Sequence, residues 1–121
     1  MIGRPAMSIA DHFPNGRQEA KFYLIFLNSI PGRPLSPEVV KVHTAHLAEL
    51  DKDGKLVLAD IISERAGGLI VLRTASLAEA TTIANEDPLV QGAYQTYELG
   101  TWLMSNRQNG YQPKIQPEHS E

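Results

Sequence analysis

A chain of 121 residues with 42% hydrophobic and 21% charged positions has the size and composition of one compact globular domain. A net charge of −3 leaves no basic footprint for nucleic acid, and the absence of cysteine removes disulfides, thiolate nucleophiles and sulfur-ligated zinc. The longest apolar run, Phe22 to Leu27, falls far short of the ~20 residues that cross a bilayer, and nothing resembles a secretory signal, so a cytoplasmic location is expected and no membrane partner.

Residues 1–20 mix Gly3, Pro5, Pro14 and Gly16 with polar positions and show no periodicity, which reads as an N-terminal extension. Phe22 to Asn28 is short, continuous and rich in aromatic and branched residues, as in a strand buried on both faces. After the loop Ser29 to Pro34, Ser36 supplies a capping hydroxyl, Pro37 a first-turn proline and Glu38 a carboxylate at the positive end of a helix expected over residues 37–51. Asp53-Gly54 closes it. Residues 55–62 alternate Leu56, Leu58 and Asp60 against Val57, Ala59 and Ile61, which predicts a second strand, and residues 63–68 a hairpin loop.

A third strand is expected over residues 69–74. Ser76 and Glu79 then stand at capping-box spacing before a helix with Leu77, Ala80, Ile83 and Ala84 on one side. Pro88 ends that helix, because a proline pushes the residue before it, Asp87, out of helical geometry. Residues 94–104 alternate Tyr97, Leu99, Thr101 and Leu103 with Tyr94, Thr96, Glu98 and Trp102, giving a long last strand. Residues 105–121, with Pro113 and Pro117, read as a C-terminal extension to a domain spanning 21–104.

The element order is βαββαβ, the ferredoxin-like pattern of an α+β fold: a four-stranded antiparallel sheet with two helices on one face. Because the first and last strands carry large residues on both sides, the second face needs a cover. The same sheet from a second copy is the simplest one, which predicts a homodimer whose sheets pack face to face.

His46 and Asp87 are the candidate chemistry. His46 follows Val42 by one helical turn and Val39 by two, which puts it on or beside the apolar stripe, and an imidazole beside a carboxylate is a proton-transfer group. The bland readings are a core histidine satisfied by a carbonyl and an aspartate that caps a helix end. Both helices pack on one sheet face, so the two residues can converge at one edge of the helix layer. His43 and His46 share a helical face, but no third ligand accompanies them and no metal is expected. Arg73, Glu98 and an aromatic set of Tyr94, Tyr97 and Trp102 are secondary candidates for pocket lining. No glycine-rich dinucleotide fingerprint or phosphate loop occurs, so no cofactor is expected.

The apolar first strand, Ala45-His46-Leu47-Ala48-Glu49-Leu50, Gly54 to Asp60, Gly67-Gly68-Leu69-Ile70-Val71-Leu72, Glu86-Asp87-Pro88-Leu89-Val90 and Gly92-Ala93-Tyr94, taken in this order and spacing, resemble the YciI-like, or YCII-related, family of dimeric α+β barrels. The resemblance covers residues 21–104. It departs from the family pattern at Asp60-Ile61, where a Gly-Pro often follows the second strand. It implies a histidine–aspartate dyad at His46 and Asp87 and a small-molecule ligand. Activities among the relatives include dehydrochlorination of a chlorinated hydroxyquinol, lactone isomerisation and cofactor-free oxygenation. The function expected is cofactor-independent proton transfer in an elimination, dehydrochlorination or isomerisation; the alternative is a non-catalytic ligand-binding or accessory protein with the same fold.

Overall fold

The computed structural model describes residues 21–61, 67–103, 105, 107 and 110–112. The N-terminal extension, most of the C-terminal one and the centre of the expected hairpin loop lie outside the described residues. The elements are β1 (Lys21–Ser29), α1 (Pro37–Lys52), β2 (Leu56–Ile61), β3 (Gly67–Leu72), α2 (Leu77–Glu86), α3 (Pro88–Gln91) and β4 (Gln95–Leu103). The sheet order is β2-β3-β1-β4 and every pairing is antiparallel, as the ferredoxin-like reading requires.

The helix starts follow from local chemistry. Ser36 sits in extended backbone and its Oγ accepts the Val39 N–H at 3.2 Å, with Pro37 in the first turn and Glu38 beside the positive helix end. Asp53 caps the far end, and Gly54 takes the left-handed φ of 75° that turns the chain into β2. At α2, Ser76 Oγ accepts the Glu79 N–H at 3.1 Å, while Glu79 Oε1 reaches past the cap to accept the Ala75 N–H at 2.9 Å. The other carboxylate oxygen of Glu79 accepts from Lys55 Nζ at 2.8 Å. That hydrogen bond, followed by the one from Ala75, holds the Glu79 carboxyl below its ordinary range, and its partner Lys55 is raised.

Two details depart from the pattern reading. The helix does stop before Pro88, but Pro88 at once opens a further helical turn, α3, capped by Asp87. In β2 the pairing register shifts between Leu56 and Leu58, so that Leu56 opposes Leu72 and Leu58 opposes Val71. The irregularity at Val57 breaks the simple alternation. Leu56 and Ala59 therefore pack on the helix side, whereas Leu58 lies 49% exposed, off that core.

One face of the sheet, through Tyr23, Ile25, Leu27, Ile70 and Leu72, packs against Leu50, Ala80, Ile83, Ala84 and Leu89 of the three helices. Strand alternation sends Phe22, Leu24, Phe26, Val71 and Trp102 to the other face. Phe22 and Trp102 meet there as a tilted ring pair with centroids 6.2 Å apart.

Candidate active site

Asp87 is the hinge between α2 and α3. Its extended ψ of 128° breaks the helix, and its Oδ1 accepts the Leu89 N–H at 2.8 Å, which starts α3. This capping role turns the carboxylate inward, where only 1% of the residue stays exposed. The same Oδ1 lies 2.9 Å from the Nδ1 of an α1 imidazole, and that imidazole belongs to His43. With the carboxylate ionised and the imidazole neutral, this contact places the hydrogen on Nδ1 and leaves the lone pair on Nε2.

Sequence reading brings Asp87 towards His46; the hydrogen bond in the structure goes to His43. Each residue advances about 100° around an α-helix, so His46 is displaced by about 60° from His43, while Val40, Thr44 and Leu47 flank His43 on the opposite side. The core stripe is Val39, His43, Leu47 and Leu50, with His43 at its centre. Val42, one turn before His46, is 53% exposed and lies off that stripe. His46 is half-buried, and its Nε2 is buried with no hydrogen-bond partner among the described residues.

His43 lines a cavity of about 390 Å³ between α1 and the end of the sheet. Val40, Thr44 and Leu47 form the roof beside it. Leu27, Ala59, Ile70 and the two glycines Gly67 and Gly68 form the floor, Leu89 closes one end, and Leu35 and Ile61 stand at the rim. The lining is chiefly aliphatic, and the volume falls within the ~300 to 1,000 Å³ of small-molecule sites. His46 is not among the lining residues.

The polar groups that reach this cavity besides His43 were not singled out from the sequence. Ser29, at the end of β1, and Gln95, at the start of β4, face each other across the β1–β4 pairing. Gln95 Nε2 donates to Ser29 Oγ at 3.3 Å, and Gln95 is 6% exposed. A glutamine at a strand start carries no pattern signal of its own. Only the cavity distinguishes it.

The secondary candidates fall elsewhere. Tyr97 donates its hydroxyl to Asn85 Oδ1 at 2.8 Å, and Trp102 makes the tilted ring pair with Phe22 on the other sheet face. Tyr94 lies under the Arg33 guanidinium at 4.2 Å. Arg33 also donates to the carbonyls of Gly92 and Ala93, at 2.7 and 3.2 Å, tying the β1–α1 loop that bears Leu35 to the α3–β4 turn. Arg73 lines a separate polar cleft with Asp53, Lys55, Thr74 and Glu79, and Glu98 is exposed on β4. Among the described residues no group of three or more His, Asp or Glu side chains could hold a metal ion, and no helix is long and apolar enough to cross a membrane.

A ferredoxin-like α+β domain with a histidine–carboxylate pair at the wall of an apolar cavity defines the class. The YCII-related domain model matches residues 21–103, and the chain belongs to that family. Among solved structures, the chain is similar to the 5-chloro-2-hydroxyhydroquinone dehydrochlorinase TftG from Burkholderia phenoliruptrix AC1100, in a complex with 2,5-dihydroxybenzoquinone. The TM-score is 0.54 at 18% sequence identity, covering 72% of this chain and 97% of that one. At that identity the likeness establishes the shared fold. No curated protein matches the chain significantly.

Proposed function

We propose that the protein is a small-molecule acid–base enzyme, in which His43 Nε2 removes a proton from a compact organic substrate without a cofactor. The observation that carries this reading is the 2.9 Å contact between His43 Nδ1 and the buried Asp87 carboxylate at the edge of the cavity. Asp87 Oδ1 is itself fixed by the Leu89 N–H. It therefore orients the imidazole, selects the tautomer with Nε2 free and stabilises the imidazolium formed when the proton arrives. In an elimination, the proton moves to Nε2, the electron pair it leaves enters the substrate's π system, and the leaving group departs with its own bonding pair. In an isomerisation the imidazolium returns the proton at another atom. The TftG likeness supports dehydrochlorination of a hydroxylated ring as the first reaction to assay.

The test is chloride release from 5-chloro-2-hydroxyhydroquinone, with hydrogen–deuterium exchange in D2O followed on other hydroxylated aromatics. Asp87→Asn keeps an oxygen for Leu89 N–H and His43 Nδ1–H but removes the charge that balances the imidazolium. The wild type should turn over at least one member, and D87N should lower that turnover by about 10²-fold at unchanged KM, within the usual range of general-base effects. Turnover that D87N leaves intact overturns the role of the pair, and ligand binding without turnover returns the protein to a binding or accessory role.

The same reading takes the protein as a cytoplasmic homodimer joined through the second sheet face. The exposed Leu58 and Trp102, at 49% and 41%, support it, because apolar groups of this size on a sheet face gain from burial against a second copy. Sedimentation equilibrium should give twice the chain mass, and a monomer at micromolar concentration would sink this assembly.

A further inference from the structure

Gln95 lines the cavity and keeps an unspent hydrogen-bonding group. Its Nε2 is held by Ser29 Oγ at 3.3 Å, whereas its Oε1 is buried with no partner among the described residues. A buried amide oxygen without a donor is a standing penalty in the empty fold, and it is relieved by a ligand that brings one. The residue is anchored on both sides: its backbone belongs to β4, paired to Ser29 of β1, and its amide nitrogen is tied to the Ser29 hydroxyl. The side chain is thus held by rigid strands, not by a loop. The remaining floor and roof, Leu27, Leu47, Ile70 and Leu89, offer aliphatic surface to the rest of the ligand.

We infer that Gln95 is a specificity-determining residue that accepts a hydrogen bond from a substrate hydroxyl, and that the substrate class is a compact, largely apolar ring bearing such a hydroxyl. The assignment rests on the proposal that the cavity beside His43 is the active site. His43 supplies the base and Gln95 supplies the acceptor that fixes which edge of the ring the base meets. A site built to receive a hydroxyl discriminates against the analogue that lacks it, because the buried acceptor is then left unpaired.

The probes are hydroquinone and 1,4-dimethoxybenzene, which share a ring and differ in having hydroxyl donors, with binding followed by NMR on the full chain. The wild type should bind hydroquinone roughly tenfold more tightly, the scale of one buried hydrogen bond. Hydroquinone, and not the ether, should shift the Gln95 side-chain amide resonances. Gln95→Met, close in size but without the acceptor, should bring the two affinities together without weakening the ether. Gln95→Glu, which keeps an acceptor, should retain the preference. Equal affinities in the wild type, no binding of either probe at millimolar concentration, or a preference that survives Q95M overturns the assignment. Should Q95M fail to fold, the wild-type amide shift decides. His43→Gln separates this inference from the proposed chemistry: the hydroxyl preference should persist in H43Q, whereas turnover that survives H43Q refutes the base and leaves the Gln95 assignment standing.

Discussion

His43→Gln should reduce kcat/KM by about 10² to 10⁴-fold on any substrate the protein turns over, the range that a positioned general base contributes, while His46→Gln should leave it within about threefold. The contrast follows from what each ring touches. His43 Nδ1 is committed to Asp87 Oδ1 at 2.9 Å, and the side chain keeps 17% exposure at the cavity wall against 2% for its partner. His46 is not among the residues that line the cavity, and its buried Nε2 has no hydrogen-bond partner among the described residues. The glutamine at 43 can still donate to Asp87, so the fold should survive. The loss should then appear in kcat more than in KM, because the apolar lining of the cavity is unchanged. Paired measurements of chloride release or deuterium exchange decide the matter. An H46Q enzyme disabled as strongly as H43Q would move the chemistry back to the residue that sequence spacing suggested.

The strands and helices were legible because their signals are local: a serine cap before a proline, a Ser-to-Glu capping pair, an aromatic and branched run. Their order matches the ferredoxin-like pattern, which the β2-β3-β1-β4 sheet follows. Asp87 was legible too, since an aspartate before proline has to leave the helix. Its partner depended on a helix rotation of about 60°, and an apolar stripe read through Val39 and Val42 instead of Val39, Leu47 and Leu50 turns the helix toward His46. The signal was available. Val39, His43, Leu47 and Leu50 have the i, i+4, i+8, i+11 spacing of a single buried face. The irregularity at Val57 and the Gln95–Ser29 pair were not available, because each is created by pairing between strands that no local pattern encodes.

Gly67→Ala should be the most damaging single-methyl change in the floor of the cavity, lowering stability by about 2 to 4 kcal/mol and the melting temperature by roughly 10 to 20 °C. Two independent causes act together. Gly67 holds φ at 141°, a backbone region that side chains rarely adopt, and a Cβ built there runs into the carbonyl oxygen of Leu27 and lies 3.0 Å from its carbon. The obstacle is backbone of the central strand β1, so no rotamer change relieves it. Either β3 retreats, weakening the Leu27–Gly68 and Asn28–Gly67 pairings, or φ shifts and carries Gly68 away from the cavity. Gly100→Ala is the control, because its Cβ would meet Phe26 and Leu24 side chains at ordinary contact distances of 3.6 to 3.9 Å on the other sheet face. That variant should melt within a few degrees of the wild type. Thermal unfolding of both proteins reads the difference directly. A G67A chain as stable as G100A would mean that β1 and β3 approach less closely than this geometry requires, and that the two glycines do not set the depth of the cavity that His43 and Gln95 line.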